Sequence, residues 1–348
     1  MAAIFQFGFR PAQPWPEEHR LDDIRWSLAA LDPQSHVRCG VFQASDGANL
    51  PYRFWRANEP RALLLLLHGA CDYSGAFDEI APKLAQRGFS CLAYDQRGFG
   101  ATATRGNWAG SERLAEDAAN AAAFLRRRVD AELPLFILGE SMGGAVAVHA
   151  AARYRSLKAD GLVLVAPGAL ASAIRRVFYD WTTRLIRFWK RNCELVFERV
   201  SGWELTPSAA IRLMGDPLVM NGIKPEIFTG LVALGYNAVK EARNVTAPTL
   251  TLVAGKDDLL RKACIGSLHG NLGGDKSWLE FAGAPHMLLH WRDGESVLRE
   301  ATHWMLGRLM MRPKKVTNVT PEAACGDCGP APSAASARRP RLPARQPA

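Results

Sequence analysis

The stretch LFILGESMGG, residues 135–144, predicts a buried strand that turns sharply into a helix. The apolar run ends at Gly139, Ser141 follows at the centre of a Gly-x-Ser-x-Gly pattern, and Gly144 extends the small residues. Such a turn presents the serine to a substrate, and the flanking glycines let strand and helix cross closely. The positive end of the helix would face a reacting carbonyl group. We therefore expect Ser141 to be a nucleophile, which requires a base to remove its proton during attack.

Short apolar runs alternate with helical patterns on both sides of this stretch. This alternation is typical of βα units and of a mostly parallel, doubly wound α/β sheet. The patterns predict an opening hairpin over 43–56 and strands over 62–67, 90–94, 135–138, 162–165, 248–254 and 278–281. They predict helices over 76–87, 112–129, 145–154 and 295–309.

The alternation stops between Pro167 and Ala247, where helical patterns rich in Trp, Phe and Arg replace it and no clear strand is present. An insertion at this point predicts a helical cap over the carboxyl edge of the sheet, where such folds bind ligands. We expect an N-terminal extension over 1–36, a core over 37–168 and 246–310, and a cap over 169–245. Residues 311–348 are rich in Ala, Pro and Arg and have few large apolar residues, which predicts a disordered tail.

The distribution of charge and the cysteine content limit the classes of protein to which this sequence can belong. Seven bases against two acids beyond residue 311 give the tail +5, which leaves only +4 of the net +9 for the rest of the chain. Without a nucleic-acid-binding motif, this distribution does not favour a nucleic-acid partner. The seven cysteines form no framework spacing, and neither a signal peptide nor a membrane-spanning run is apparent. We expect a cytoplasmic protein.

A second strand end predicts the groups that would stabilise a tetrahedral oxyanion. Residues 62–67 lead directly into His68-Gly69-Ala70. The N–H of Ala70 and that of Met142, which follows the serine, are the expected oxyanion-hole donors, and one such donor contributes about 3–4 kcal/mol to lowering a barrier. We interpret His68 as a structural residue that shapes this loop.

Two later strand ends supply an acid and a base in the order that follows a serine nucleophile in this kind of site. The strand over 249–254 leads into two adjacent carboxylates, Asp257 and Asp258, and the strand over 278–281 leads to His286. His286 is the expected base. A carboxylate would fix its tautomer, and loss of that carboxylate can lower the rate by about 10⁴. The spacing alone does not decide whether Asp257 or Asp258 is this carboxylate.

These motifs together resemble the monoacylglycerol lipase and lysophospholipase branch of the α/β-hydrolases, a family also called serine aminopeptidase-like. The matching segments are His68-Gly69-Ala70, Tyr73-Ser74-Gly75, Asp95-Gln96-Arg97-Gly98-Phe99-Gly100, Gly139-Glu140-Ser141-Met142-Gly143-Gly144, Asp216-Pro217-Leu218, Gly255-Lys256-Asp257-Asp258 and Gly283-Ala284-Pro285-His286. The resemblance implies the α/β-hydrolase fold with a helical cap, a Ser-Asp-His triad and no cofactor. The family's acid is the fourth residue of Gly-x-x-Asp, which selects Asp258.

The predicted cap contains a segment with two chemically distinct faces. The apolar face consists of Ile174, Val177, Phe178, Trp181, Leu185 and Phe188, and the basic face of Arg175, Arg176, Arg184, Arg187, Lys190 and Arg191. Two interpretations remain open: a cap helix packed on the core with a solvated basic back, or a lid that makes peripheral contact with an anionic membrane or micelle. In either case we expect Phe178 and Trp181 to bind substrate along an apolar path to Ser141.

The expected function is hydrolysis of a lipid-like monoester, such as a monoacylglycerol or lysophospholipid, through an acyl-enzyme. The alternatives are peptide or amide hydrolysis or acyl transfer by the same triad, and a catalytically silent binding module. No metal is expected, because the His286 and His290 pair has no Glu or Cys to complete a ligand set. Asp95 is interpreted as a structural residue that ties down the loop at Arg97 and Gly98.

Overall fold

The computed structural model describes residues 7–11, 37–174, 176–179, 181–182, 193–197 and 204–311. The chain divides into two compact units, Met1–Met311 and Arg312–Ala348. The second unit holds almost all of the predicted disordered tail and lies outside the described residues, as does most of the N-terminal extension.

An eight-stranded sheet forms the centre of the first unit. Its strands are β2 Val37–Gln43, β3 Asn49–Trp55, β4 Ala62–Leu67, β5 Phe89–Tyr94, β6 Leu135–Glu140, β7 Gly161–Val165, β10 Thr249–Ala254 and β11 Lys276–Phe281. They lie in the order β11-β10-β7-β6-β4-β5-β3-β2. The hairpin β2–β3 is antiparallel, β3 pairs antiparallel with β5, and the other pairs are parallel. The predicted mostly parallel sheet is confirmed.

The five consecutive leucines of β4 show why this strand has no polar face. Successive side chains of a strand point to opposite faces. Leu63, Leu65 and Leu67 pack into one apolar core, and Leu64 and Leu66 pack into a second core. Helices cover both faces of the sheet, as expected for parallel strands that are buried on both sides.

The numbered helices are α1 Ala81–Gln86, α2 Ser111–Arg128, α3 Met142–Arg153, α4 Pro207–Gly215, α5 Pro225–Glu241, α6 Lys262–Asn271 and α7 Gly294–Met311. Helices α1 and α7 contribute to the core that contains Leu64, and α2, α3, α5 and α6 contribute to the core that contains Leu63. The helices predicted over 112–129 and 295–309 are confirmed within one or two residues.

The segment between β7 and β10 contains strands, so the expectation of no strand between Pro167 and Ala247 was wrong. Strand β8, Cys193–Phe197, pairs antiparallel with β9, Gly222–Ile223, and with β1, Phe7–Pro11. We refer to residues 166–248 as the inserted segment. Its central strand has a partner from the N-terminal extension, and a pairing between such distant residues leaves only a short local pattern in the sequence.

Described parts of the inserted segment contact loops at the carboxyl edge of the sheet. The N–H of Met220 donates to the carbonyl of Cys71 in the loop after β4, at 2.8 Å. The N–H of Thr206 donates to the carbonyl of His290, which follows β11, at 2.9 Å. Since Ser141 follows β6 at the same edge, this arrangement places residues 206–220 beside the predicted site.

Candidate active site

Ser141 lies at the strained turn between β6 and α3. Its φ of 50° and ψ of −113° are unusual for a residue other than glycine. A Cβ atom on Gly139 would lie 2.3 Å from the carbonyl oxygen of Gly143, and one on Gly143 would lie 2.1 Å from that of Leu67. Both glycines are therefore required for the strand, the turn and the helix to pack this closely. The sequence pattern predicted this geometry correctly.

His286 contacts Ser141 directly. Its Nε2 atom lies 2.9 Å from the Oγ atom of Ser141, and its side chain is 6% exposed. The histidine follows β11, on a loop tied to the end of β10 by the hydrogen bond from Lys256 N–H to the Ala284 carbonyl at 2.9 Å. The structure thus brings together two of the three residues predicted for the triad.

The acid that contacts His286 is Asp257, so the expectation that Asp258 occupies this position was wrong. The Oδ2 atom of Asp257 lies 2.8 Å from Nδ1 of His286, and this carboxylate is 3% exposed, whereas Asp258 is an exposed residue. The path of the backbone explains the difference. The Lys256–Ala284 bond lies directly before Asp257 and joins the chain to the loop that carries His286, whereas Asp258 lies inside the turn that Asp257 closes with Leu259 and Leu260 and is exposed.

Two backbone hydrogen bonds hold the other oxygen of the Asp257 carboxylate. Its Oδ1 atom accepts the N–H groups of Leu259 and Leu260 at 2.9 and 2.8 Å. An aspartate that accepts backbone N–H groups two and three residues later closes a local turn. The ability of an aspartate to close such a turn is a signal in the sequence, and the Gly-x-x-Asp motif that selected Asp258 does not use it.

The loop predicted to carry an oxyanion donor lies beside Ser141. A Cβ atom on Gly69 would be 3.5 Å from the Cβ of Ser141, which places Ala70 one residue from this contact. His68 has a structural environment: its Nε2 accepts the N–H of Gln96 at 2.9 Å, so its Nδ1 carries the proton and donates to the Gly69 carbonyl. Burial lowers the pKa of His68, which favours this neutral form.

The surroundings of Asp95 fit its interpretation as a structural residue, although, among the described residues, neither Arg97 nor Gly98 donates a hydrogen bond to it as that interpretation implied. Its carboxylate accepts the N–H groups of Ser74 and Ala101 at 2.9 and 2.8 Å, and so joins the loops after β4 and β5. Arg97 instead binds Asp46 and Asp117 through four hydrogen bonds.

The apolar side chains of the predicted cap helix are exposed where the structure describes them. Ile174, Val177, Phe178 and Trp181 are 83%, 66%, 58% and 62% exposed, and Arg176 stacks over the Tyr236 ring of α5. A helix packed through its apolar face with a solvated basic back therefore does not fit these residues. The role of Phe178 and Trp181 in binding substrate stays a prediction. Arg175, Arg184, Leu185, Arg187, Phe188, Lys190 and Arg191 lie outside the described residues.

Sequence reasoning missed a buried ion pair beside the site. Arg212 of α4 forms a short ion pair with Asp72, two residues after Ala70, and the side chains are 14% and 8% exposed. Burial opposes ionisation of Asp72, but the Arg212 charge keeps the pKa of Asp72 below its ordinary value. The sequence offered only an indirect signal, because Arg212 is one helical turn before Asp216 of a motif that had been noted.

The residues that the structure describes contain no group of three His, Cys, Asp or Glu side chains placed to hold a metal ion. His290 instead faces Glu140, with Nε2 and Oε2 3.5 Å apart. No helix within the described ranges is long and apolar enough to cross a bilayer.

The sheet topology and the Ser141–His286–Asp257 contacts define an α/β-hydrolase. The family described as serine aminopeptidase, S33, matches residues 58–293, so the chain belongs to this family and is a hydrolase. It is 28% identical to a monoglyceride lipase of Rattus norvegicus over 76% of this chain and 89% of the relative. It is 23% identical to a monoacylglycerol lipase of Mycolicibacterium smegmatis over 77% and 96% of the two chains.

Solved structures show the same fold. The monoacylglycerol lipase of Paleococcus ferrophilus superposes with a TM-score of 0.63 at 24% identity, over 74% of this chain and 99% of that one. A soluble variant of the monoglyceride lipase of Saccharomyces cerevisiae, in complex with a substrate analog, superposes with a TM-score of 0.65 at 18% identity, over 78% and 94%. The predicted α/β-hydrolase fold is confirmed.

Proposed function

We propose that this hydrolase cleaves the carboxylic ester of a lipid-like monoester, with Ser141 as nucleophile, His286 as base and Asp257 as the acid that orients the base. The observation that carries the proposal is the continuous chain of two short contacts, 2.9 Å from Ser141 to His286 and 2.8 Å from His286 to Asp257. It replaces the expected acid, Asp258, with its neighbour.

In the first step, the Ser141 Oγ atom attacks the ester carbonyl while its proton moves to Nε2 of His286. The carbonyl π electrons move to oxygen and form a tetrahedral oxyanion. Asp257 accepts the Nδ1–H of His286, which leaves Nε2 free to take the serine proton and stabilises the resulting cation. Collapse of the intermediate expels the alcohol, which takes the proton from His286, and leaves an acyl-Ser141 ester.

In the second step, a water molecule replaces the serine hydroxyl as the nucleophile. His286 accepts a proton from water as it attacks the acyl carbonyl, and the same oxyanion forms. Collapse breaks the bond to Ser141 Oγ, which recovers its proton from His286, and releases the carboxylic acid. The reaction balances with water alone, and it requires no cofactor.

The N–H groups of Ala70 and Met142 are the proposed oxyanion donors. In the described part of the chain, neither donates to a backbone carbonyl, so both are available to a ligand. Met142 is the first residue of α3, where N–H groups have no partner within the helix. Such donors, fixed before the reaction, are worth more in a site sheltered from water than in solvent.

The relatives support the substrate class. Those of Rattus norvegicus and Mycolicibacterium smegmatis are named monoglyceride and monoacylglycerol lipases, and the match covers most of each relative. We infer that a monoacylglycerol or similar lysolipid is the substrate of this chain. The family description as an aminopeptidase favours a second candidate, hydrolysis of a peptide amide by the same residues.

Two measurements test the proposal. Wild-type protein is incubated with a fluorophosphonate probe, and its turnover is measured on monoacylglycerols, lysophospholipids, p-nitrophenyl esters and aminoacyl amides. We expect labelling, and turnover of the lipid monoesters above that of the amides. Ser141→Ala should lose both signals, whereas Ser267→Ala at a half-buried position of α6 should retain them. Labelling of Ser141→Ala at full strength would show that another residue is the nucleophile.

We also propose that the protein contacts lipid surfaces peripherally through the helical residues 173–174, 176–179 and 181–182. Four large apolar side chains there are exposed, although such groups normally lie in a core. Basic amphipathic helices bury their apolar face in the interfacial region of a bilayer. The expected cytoplasmic location is compatible with such contact and stays a prediction.

A further inference from the structure

The loop that follows the proposed oxyanion donor Ala70 is held by the inserted segment. Each of the three residues after Ala70 has a direct bond to that segment. The contacts are Met220 N–H to the Cys71 carbonyl at 2.8 Å, the ion pair of Arg212 with Asp72, and the Tyr73 hydroxyl to the Asp216 carboxylate at 2.5 Å.

The loop adopts a conformation that needs external support. Cys71, the residue directly after Ala70, has a φ of 67°, in the left-handed region that residues other than glycine rarely adopt. Such strained residues persist only where their surroundings fix them, and they concentrate at functional sites. Here the Met220 bond fixes the carbonyl of the strained residue, and Arg212 fixes the side chain that comes next.

Arg212 is the strongest of these restraints because its bond to Asp72 joins two charges in a mostly buried environment. A charged hydrogen bond is about twice as strong as a neutral one. Loss of either partner would leave the other charge buried and uncompensated. Helix α4 and the Ala70 loop are therefore strongly coupled in position, and the pair of Arg212 with Asp72 is the one ion pair among the three contacts described above.

We propose that Arg212 is a positioning residue for ester hydrolysis: through Asp72 it holds the loop so that the Ala70 N–H is placed to bind the oxyanion. This inference rests on the proposed function, and it goes beyond that proposal by assigning a role to a residue of the inserted segment. A displacement of α4 would carry Asp72 with it and disturb the oxyanion site, so catalysis depends on the position of the inserted segment.

The experiment compares a ligand that forms the oxyanion with one that does not. An alkyl trifluoromethyl ketone adds Ser141 Oγ to its carbonyl carbon. The π electrons move to oxygen, and the serine proton moves to His286. The corresponding secondary alcohol has the same alkyl chain and no carbonyl. Both are measured with wild type, Arg212→Gln and Arg212→Lys, alongside kcat and KM for p-nitrophenyl butyrate per fluorophosphonate-titrated site. Arg299→Gln, at an exposed position of α7, is the matched control.

We expect Arg212→Gln to lower kcat by about 10- to 100-fold, less than the roughly 10²- to 10³-fold loss when an oxyanion donor is removed outright. KM should change by less than about threefold, because ground-state binding does not use the oxyanion donor. Affinity for the ketone should fall by the same factor as kcat/KM, and affinity for the alcohol should not change. Arg212→Lys should recover part of the loss, and the control should equal wild type.

The double variant Asp72→Asn/Arg212→Gln separates positioning from stability. It removes both buried charges, so it should be more stable than Arg212→Gln while its ketone affinity remains low. The inference is overturned if ketone affinity per active site is that of wild type in Arg212→Gln or in the double variant, whichever folds. If wild type neither labels nor turns over esters, the proposed function fails instead, and the two failures are distinct.

Discussion

The Oδ2 atom of Asp257 lies 2.8 Å from Nδ1 of His286, and the other oxygen of this carboxylate accepts two backbone N–H groups. The carboxylate is therefore fixed from both ends before substrate arrives. A fixed acceptor on Nδ1 determines which nitrogen of His286 can take a proton. The arrangement gives the neighbouring acid, Asp258, no part in orienting the histidine.

We predict that Asp257→Asn lowers kcat by several orders of magnitude, while Asp258→Asn stays within about threefold of wild type. An amide can present its NH₂ group to Nδ1 and so stabilise the wrong tautomer, and loss of the acid in a comparable triad lowers the rate by about 10⁴. The measurement is kcat and KM on one soluble ester. A severe loss in Asp258→Asn together with a mild one in Asp257→Asn would return the acid role to Asp258.

A second prediction concerns the crossing of β4 and α3 at Gly143. A Cβ atom there would lie 2.1 Å from the carbonyl oxygen of Leu67, a backbone atom that cannot rotate away. Gly143→Ala should therefore destabilise the protein by about 1–3 kcal/mol or more, and it should reduce labelling of Ser141. The matched control is Gly266→Ala in α6, where a Cβ would meet nothing within 4 Å. That change should stabilise the helix by about 0.5–1 kcal/mol. Thermal unfolding of both variants tests the contrast, and equal melting temperatures would contradict it.

A third prediction uses the pH dependence of a buried acid. Asp117 is 0% exposed in its side chain and pairs with Arg97, which also binds Asp46. Burial raises the pKa of Asp117 despite the opposing charge of Arg97. Arg97→Met removes this charge and leaves a buried carboxylate unpaired, which should cost about 3–5 kcal/mol when Asp117 is ionised.

The sign of the pH effect follows from proton binding. A carboxyl whose folded pKa lies above its unfolded value holds a proton in the native state that the unfolded chain has released, so stability falls as pH rises through the folded pKa. Relative to wild type, Arg97→Met should lose more stability at pH 8 than at pH 5 in urea unfolding. Arg153→Met, at a half-exposed pair, should lose less than about 1 kcal/mol at both values. A loss for Arg97→Met that does not vary with pH would argue against an ionised Asp117.

The parts of the site that were predicted correctly depend on local patterns. The strand, the serine and the helix around Ser141 are contiguous in the sequence. Glycines at 139 and 143 indicate that the strand and the helix pack closely there. His286 follows a strand end in the same way. The sheet could be predicted for a similar reason, since a buried strand such as β4 is an uninterrupted apolar run.

The parts that were missed depend on contacts between distant residues or on the path of the backbone. Asp257 and Asp258 carry the same chemical group at adjacent positions, and the path of the backbone, with the Lys256–Ala284 bond and the turn closed by Asp257, determines which one reaches His286. Arg212 and Asp72 are 140 positions apart, and the position of Arg212 one helical turn before Asp216 does not reveal that Asp72 is its partner. Strand β8 has a partner near the start of the chain.

The last prediction tests the exposed apolar side chains of the inserted segment. Phe178 and Trp181 already face solvent, so Phe178→Ser and Trp181→Ser should leave the melting temperature nearly unchanged. Burial of one such side chain is worth about 1.5–3 kcal/mol, and insertion into a lipid surface that gains even half of this would strengthen vesicle binding by several-fold. Both changes should lower vesicle binding and turnover of a long-chain monoacylglycerol in vesicles, while turnover of soluble p-nitrophenyl butyrate stays constant. Met310→Ser, at an exposed apolar position of α7, controls for surface hydrophobicity alone.

The decisive quantity is the ratio of vesicle turnover to soluble turnover. If that ratio is the same in all four proteins, the exposed side chains have no part in the turnover of vesicle lipid. If the ratio falls, weaker vesicle binding in Phe178→Ser and Trp181→Ser identifies contact with the interface, and unchanged vesicle binding identifies a role along the substrate path instead.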